Sequence, residues 1–395
     1  VSLASLQHIE KIFGSIVCAL LHLPAKFIPR PKDPTPDQVQ KLLVIKFFGI
    51  GSLVLATPFL RAARARFPNA EIHLLTLSSN REITAMMKEL DQVHFLNLGG
   101  NIFSAIAAFS ACLIKTFQGG YDVLIDMEFY TRASAVVSLA SWAPMRIGFH
   151  SRGVYRGDIP SHRVPFNAYW HVTKNFFSLL EPFGQTETTD ALVPSISVHP
   201  ELLKDARAVL EHLRGNKPRF IVINANAGEL AYERRWLPDR FAQLAARLSS
   251  KYDVSCIFIG APGEKDYVQG IVDDAIAQGA KALNTAGQLN LESMAQICRE
   301  SLLVISNDSG PLHVAAAVGA PIVGFFGPET PVLYGPVGDG HLVFHQSLSC
   351  SPCINIEQSK HLKCWHPSPI CQERTRVEDA FTAICTAYDG VLSAP

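Results

Sequence analysis

From Lys41 onward the chain repeats one pattern, a short apolar run, a break, and a longer amphipathic stretch. "KLLVIKFF" from Lys41, "EIHLLTL" from Glu71, "VHFLNL" from Val93, "YDVLIDME" from Tyr121 and "RIGFH" from Arg146 read as strands with helical patterns between them. After a less regular stretch between Pro194 and Pro218 the pattern restarts with "RFIVINA", "VSCIFIG", "ALNTAG", "LLVISND" and "PIVGFFG". Helices are expected from about Pro238, after Glu264, from about Asn290 and from about Pro311. Strands separated by helices pair in parallel through crossovers, which buries both sheet faces. The expected fold class is therefore α/β, with two doubly wound parallel-sheet domains. A length of 395 residues accommodates two such domains. Ligands of such sheets sit beyond the carboxyl ends of the strands, so the motifs are expected to meet across an interdomain cleft.

The reading divides the chain into an N-terminal amphipathic helix and Pro-rich linker (1–40), a first α/β domain (41–200), a second (201–375) and a closing helix (376–395). In the first segment Leu6, Ile9, Phe13, Ile16, Val17, Leu20 and Leu21 recur at helical spacing, opposite Gln7, His8, Lys11 and Ser15. Two placements stay open for it, on a membrane surface or on the protein's own core. No stretch reaches the roughly 18 to 20 apolar residues of a spanning helix. A leader peptide is not expected, because no cationic start precedes the apolar run. Formal net charge is zero, which argues against a nucleic-acid partner. Nine scattered cysteines fit a reducing cytoplasm.

"NDSGPLHVAAAVGAPIVGFFGP" carries the densest chemistry. A strand ending near Ser306 delivers Asn307, Asp308, Ser309 and Gly310 to the mouth of the sheet, where Pro311 suits a first helical turn. Free N–H groups and a partial positive charge at that helix start favour a phosphate, with His313 one turn along. Ordinary helix capping accounts for the Asp and Ser equally well from spacing alone.

This stretch, continued through "ETPVLYGP", closely resembles the signature of glycosyltransferase family 9, the heptosyltransferases. The resemblance extends to "IKFFGIGSLVLATPFLRAARARFPNAEIHLLT", "YDVLIDME", "RIGF", "RRWLPDRFAQLA" and "IGAPGEKD". It implies a GT-B fold of two Rossmann-like domains and an inverting glycosyltransferase of lipopolysaccharide-core biosynthesis. The implied donor is a nucleotide sugar, ADP-heptose in the family, and the implied acceptor a glycolipid or oligosaccharide. It places the donor in the C-terminal domain, on Arg234, Glu264, Asp308, Ser309, Gly310 and His313, with Arg235 and Trp236 beside Arg234. It implies a cytoplasmic protein acting on a membrane-associated acceptor, and the membrane-surface placement of the N-terminal helix, one of the two left open, would make it peripheral on the inner face of the membrane.

One departure concerns catalysis. Where the family commonly reads G-x-G-D, with the Asp regarded as the base, this chain has Gly49, Ile50, Gly51, Ser52. The glycines keep a backbone turn that approaches a ligand closely, but Ser52 cannot take a proton unassisted at neutral pH. Asp126 and Glu128 stand two apart at a strand end, so a persisting strand points both to one face. Glu128 is accordingly expected as the general base with Asp126 tuning it; pairing of these acids with Arg132 or Arg146 is the alternative. Serine at position 52 also leaves open a nucleotide-sugar-binding protein with little or no turnover. No D-x-D motif occurs, so no cofactor and no metal are expected to be required, Mg being at most an aid. Cys350, Cys353, Cys364 and Cys371, with His361 and His366 nearby, leave structural zinc, disulfides and free thiols all open. Arg152, Arg156 and Arg163 are read as solvated or as contacts to anionic lipid.

Overall fold

A computed structural model of the chain describes residues 14–23, 25–28, 33–151, 154–157, 159–184, 192–199, 204–213, 219–228, 232–354 and 364–394. The chain divides into two compact units at Leu192/Val193. In the first unit a helical run over 14–23 (α1) precedes β1 Lys41–Ile45, α2 Ile50–Leu55, α3 Thr57–Arg66, β2 Glu71–Leu77, α4 Arg81–Ala85 and β3 Gln92–Leu96. There follow α5 Ile102–Gln118, β4 Val123–Asp126, α6 Ala133–Ala140, β5 Met145–His150, β6 His162–Pro165 and α7 Val172–Ser178. The second unit opens with α8 Lys204–Leu213, β7 Phe220–Asn224, α9 Pro238–Tyr252, β8 Ser255–Phe258, α10 Lys265–Ala277 and β9 Lys281–Asn284. It continues with α11 Leu291–Glu300, β10 Val304–Asn307, α12 Gly310–Ala317, β11 Ile322–Phe326, α13 Pro331–Tyr334, β12 Leu342–His345, α14 Ile370–Glu373 and α15 Val377–Ser393.

Each unit holds one parallel sheet of six strands, ordered β3-β2-β1-β4-β5-β6 in the first and β12-β11-β10-β7-β8-β9 in the second. Renumbered from its own first strand, each is 3-2-1-4-5-6, the doubly wound order whose chain direction reverses between strands 1 and 4. The two switch points are therefore β1/β4 and β7/β10. All ten strands expected from the sequence are present, and two further edge strands, β6 and β12, were not expected. β6 reads His-Arg-Val-Pro and ends in a proline, which an edge tolerates and an apolar-run criterion passes over. The single helix expected over "LVLATPFLRAARARF" is two, because α2 ends at Leu55 and α3 starts afresh with Pro58 in its first turn.

Burial explains the strand composition, since β1 and β7 are almost wholly inaccessible along their length. In the second unit Trp236 lies fully buried and stacked on Phe325 at 4.2 Å between centroids, with Phe241 edge-on at 5.1 Å. The closing helix α15 brings Ala380, Ile384, Tyr388 and Leu392 to the same core at steps of four residues. The Tyr388 hydroxyl donates to Ile322 O at 3.0 Å or to Gly340 O at 2.8 Å, fixing that helix to the sheet edge.

Candidate functional site

In the first unit, the chain leaving β1 turns through Lys46–Gly49 before α2. Gly49 has φ 88°, a backbone state that L side chains rarely adopt, and a Cβ there would stand 3.3 Å from Ser52 Oγ. The turn is pinned from two sides. Asn80 Nδ2 donates to Phe47 O at 2.8 Å, and Glu128 Oε1 accepts from Phe47 N at 2.7 Å and Phe48 N at 3.1 Å. The same oxygen takes Lys46 Nζ at 2.8 Å, an ion pair with both side chains essentially inaccessible, 2% and 0% exposed. Lys46 Nζ also donates to Phe48 O at 3.0 Å.

The two acids do not lie on one strand face. β4 ends at Asp126, whose Oδ1 accepts the backbone N–H of Glu128 at 3.0 Å, a local side-chain turn that competes with strand continuation. Their partners are Lys46 and Arg156, not Arg132 or Arg146; Arg156 binds Asp126 Oδ2, Glu128 O and, at 2.8 Å, Ser134 Oγ. Arg146 instead donates to Ala143 O and Ile159 O. Burial pushes the Asp126 carboxyl up, against the pull of the Arg156 guanidinium. The expected arrangement of two carboxylates on one strand face is not found: as placed, Glu128 is an inaccessible carboxylate that holds the turn leading into α2 and Ser52. Arg156 is likewise buried in this network rather than solvated or turned to lipid, Arg163 is exposed, and Arg152 lies outside the described residues.

In the second unit the β7/β10 switch point brings Arg234, Asp308 and Ser309 to the start of α12. Asn307, the last residue of β10, accepts Trp236 N on Oδ1 at 2.9 Å and donates through Nδ2 to Ala225 O at 2.9 Å, tying the end of β10 to the loop after β7. Asn224 Nδ2 lies within bonding distance of Ser309 Oγ at 2.8 Å and of Ser306 Oγ at 3.0 Å. Ser309 Oγ lies 3.1 Å from Asn307 O, so its hydroxyl turns inward and does not cap α12. The first-turn amides of α12 consequently have no side-chain cap from Ser309, the arrangement an anion completes. Arg234 comes to this mouth from the loop before α9, with NH1 3.4 Å from Asp308 Oδ2 and NH2 donating to Ala227 O at 2.6 Å. Its Nε is buried with no partner among the described residues. His313 is buried one turn along α12.

Glu264 stands apart from that mouth. Its Oε2 accepts Ala261 N at 2.8 Å, and Oε1 lies 3.9 Å from the Arg235 guanidinium, which itself lies over the rings of Tyr232 at 4.5 Å and Tyr267 at 4.3 Å. Arg234 and Arg235 thus serve two places, one facing the α12 mouth and one facing Glu264. Sequence reasoning passed over Asn226, which is 3% exposed with neither amide atom hydrogen-bonded among the described residues. It follows β7 by two residues, and its Nδ2 is 3.0 Å from where a Cβ of Gly260 would stand. The spacing of an Asn after a strand gives no signal; its orphaned amide does.

Cys350, Cys353, Cys364 and Cys371 all line one cavity of about 10 Å³ with Glu233, Trp365 and His366. Burial and the neighbouring Cys353 and Cys364 push the Cys371 thiol up to about 11. All nine cysteines are free thiols, and among the described residues no three His, Cys, Asp or Glu side chains are grouped as metal ligands. His361 lies outside the described residues.

Two α/β domains of this strand order define the GT-B fold. The profile of glycosyltransferase family 9 (heptosyltransferase) matches residues 111–366, and the chain belongs to that family. Lipopolysaccharide heptosyltransferase 3 of Escherichia coli (strain K12) is 26% identical over 299 residues, covering 72% of this chain and 82% of that protein. The fold is shared with a glycosyl transferase family 9 protein from Veillonella parvula DSM 2008, at a TM-score of 0.72 and 21% identity over 91% of this chain and 100% of that one. It is shared also with E. coli ADP-heptose LPS heptosyltransferase II, at 0.69 and 19% over 89% and 98%. No described helix is long and apolar enough to cross a membrane.

Proposed function

We propose that this glycosyltransferase moves a heptose from ADP-heptose to a lipopolysaccharide-core acceptor with inversion at the anomeric carbon. The observation that carries the reading is the α12 mouth, a helix start with no side-chain cap, flanked by Arg234 and by the Asn224–Ser309 contact at the β7/β10 switch point. Breaking the bond between anomeric carbon and phosphate builds negative charge on the departing nucleoside diphosphate. Helix amides and a guanidinium fixed in advance stabilise that charge without reorganisation, each well-placed donor contributing about 10²- to 10³-fold in rate. Arg234 takes the phosphates, its fork geometry suiting two oxygens at once. Glu264 takes the ribose hydroxyls, with Arg235 packed against it.

In the first unit the Gly49–Ser52 turn presents the acceptor, and Asp126, Glu128, Lys46 and Arg156 hold that turn in shape. The scheme calls on no metal. A glycolipid acceptor makes the protein a peripheral enzyme on the cytoplasmic face of the membrane, contacting it through the N-terminal helix.

The test is incubation of the protein with ADP-heptose and a heptose-deficient core oligosaccharide, read by mass spectrometry. A product heavier by one heptosyl residue supports the reading. Intact donor and acceptor, with ADP-heptose bound in native mass spectra, would favour the nucleotide-sugar-binding alternative that Ser52 raises.

A further inference from the structure

We infer that the exposed apolar faces of α5 and α1 in the first unit form a docking surface for a lipid bilayer, with α5 as its principal element. This inference rests on the proposed lipid-linked acceptor and adds the surface that brings the enzyme to it. α5 buries Ala105, Cys112 and Thr116, packs Ala108, Phe109 and Leu113 partly against the core, and leaves a further set of apolar residues exposed. Phe103 is 79% exposed, Ile106 56%, Ile114 58% and Phe117 61%. With Ser110 they step by three and four residues, one stripe along the whole helix. A stripe of this kind normally faces a core, so on the outside of a folded unit it requires a covering partner.

α1 repeats the arrangement. Cys18, Ala25 and Ile28 pack with Ala135 and Leu139 of α6, while Ile16, Val17, Leu20 and Leu23 are exposed. The sequence reading had grouped Ile16, Val17, Leu20 and Leu21 as the apolar side, and it is that side, Leu21 excepted, which faces out. Docking of α1 is close and specific: Arg132 Nε donates to Ser15 Oγ at 2.8 Å, and a Cβ on Gly14 would stand 2.9 Å from Arg132 Cβ. α6 joins the two helices, with Val137 in the cluster that contains Cys112 of α5 and Ala135 and Leu139 in the cluster that contains Cys18 of α1.

Charge identifies the occupant. α5 and α6 contain no carboxylate, and Lys115 is their one charged side chain. Residues 14–23 contain no Asp, Glu, Lys or Arg, and exposed Lys26 follows them. Helices that carry no carboxylate of their own and expose Lys26 and Lys115 meet anionic headgroups without repulsion and supply cations to them. A protein partner would be expected to find charged groups to set its register, which this face lacks.

The experiment is flotation of the full chain with vesicles of phosphatidylethanolamine and phosphatidylglycerol, beside the variant Ile106→Glu/Ile114→Glu and the milder Ile106→Ser/Ile114→Ser. Both positions face solvent, and matching melting curves establish that the variants fold. The wild type is expected to float, the Glu variant to lose at least tenfold in partition and the Ser variant to fall between. ADP titration is expected to be equal in all three, since the donor residues lie in the other unit. Wild type left in the bottom fraction would overturn the inference, as would equal flotation of the Glu variant. A self-association abolished by the same substitutions, with no vesicle binding, would overturn it in favour of a second copy. Failure of ADP binding with flotation intact would instead strike the donor reading.

Discussion

Replacing Glu128 by Gln separates a structural role from a catalytic one. The carboxylate is 0% exposed and the Lys46 ammonium it pairs with is 2% exposed. Glutamine keeps a carbonyl oxygen for Phe47 N and Phe48 N, so the loss falls on Lys46, left with Phe48 O as its other acceptor. Removing one partner of a buried pair costs about 3–5 kcal/mol, and the retained Phe48 contact places E128Q at about 3, two decades in the opening equilibrium. Native-state hydrogen exchange on peptides covering β1 and β4 reads that opening for the first unit alone. The double variant Lys46→Met/Glu128→Gln removes both charges while keeping a carbonyl oxygen for Phe47 N and Phe48 N, and is expected to recover at least half of the loss. Exchange in E128Q within about 0.5 kcal/mol of the wild type, a change of the size seen at neutral surface sites, with turnover abolished, would refute the structural role and restore Glu128 as the base.

Arg234→Ala removes a charged donor at the α12 mouth and is expected to weaken ADP binding by about 10- to 100-fold, the worth of a charge-assisted hydrogen bond, by calorimetry. Ser52→Ala is expected to leave turnover within about twofold, because a serine hydroxyl without a base partner takes no proton; a loss beyond tenfold in kcat would assign Ser52 a direct part. The His94 imidazole is held below its ordinary 6.5, first by burial and then by the His73 and Lys115 charges. A base whose folded value is depressed contributes stability above its unfolded value and loses it as pH falls through that region. Melting of the first unit should therefore drop between about pH 7.5 and 5.5, and His94→Gln should flatten that dependence.

The fold and the residues gathered at the start of α12 were largely legible because local pattern governs both. Ten of the strands are continuous apolar runs bounded by glycine or polar residues, and Asn307–His313 is contiguous, so one stretch of chain displays most of the mouth. The network that holds the Lys46–Gly49 turn was not legible, because its order comes from strand adjacency. Lys46 meets Glu128 across 82 positions because β1 lies beside β4, and Arg156, from the segment after β5, meets Asp126 across 30 because β5 lies beside β4. Asp126 also ends its strand by accepting the Glu128 amide, so the period-two reading placed two carboxylates on a face that no longer exists there. β6 and β12 escaped notice because edge strands need no continuous apolar run.

The central claim is that a nucleoside diphosphate seats at the start of α12. Hydrogen exchange with and without saturating ADP tests it directly, because first-turn amides that bind phosphate become protected. The account predicts protection confined to Asn307–Leu312 and Tyr232–Trp236, lost in Arg234→Ala. Tight ADP binding that leaves those amides unchanged and protects another part of the chain would contradict it.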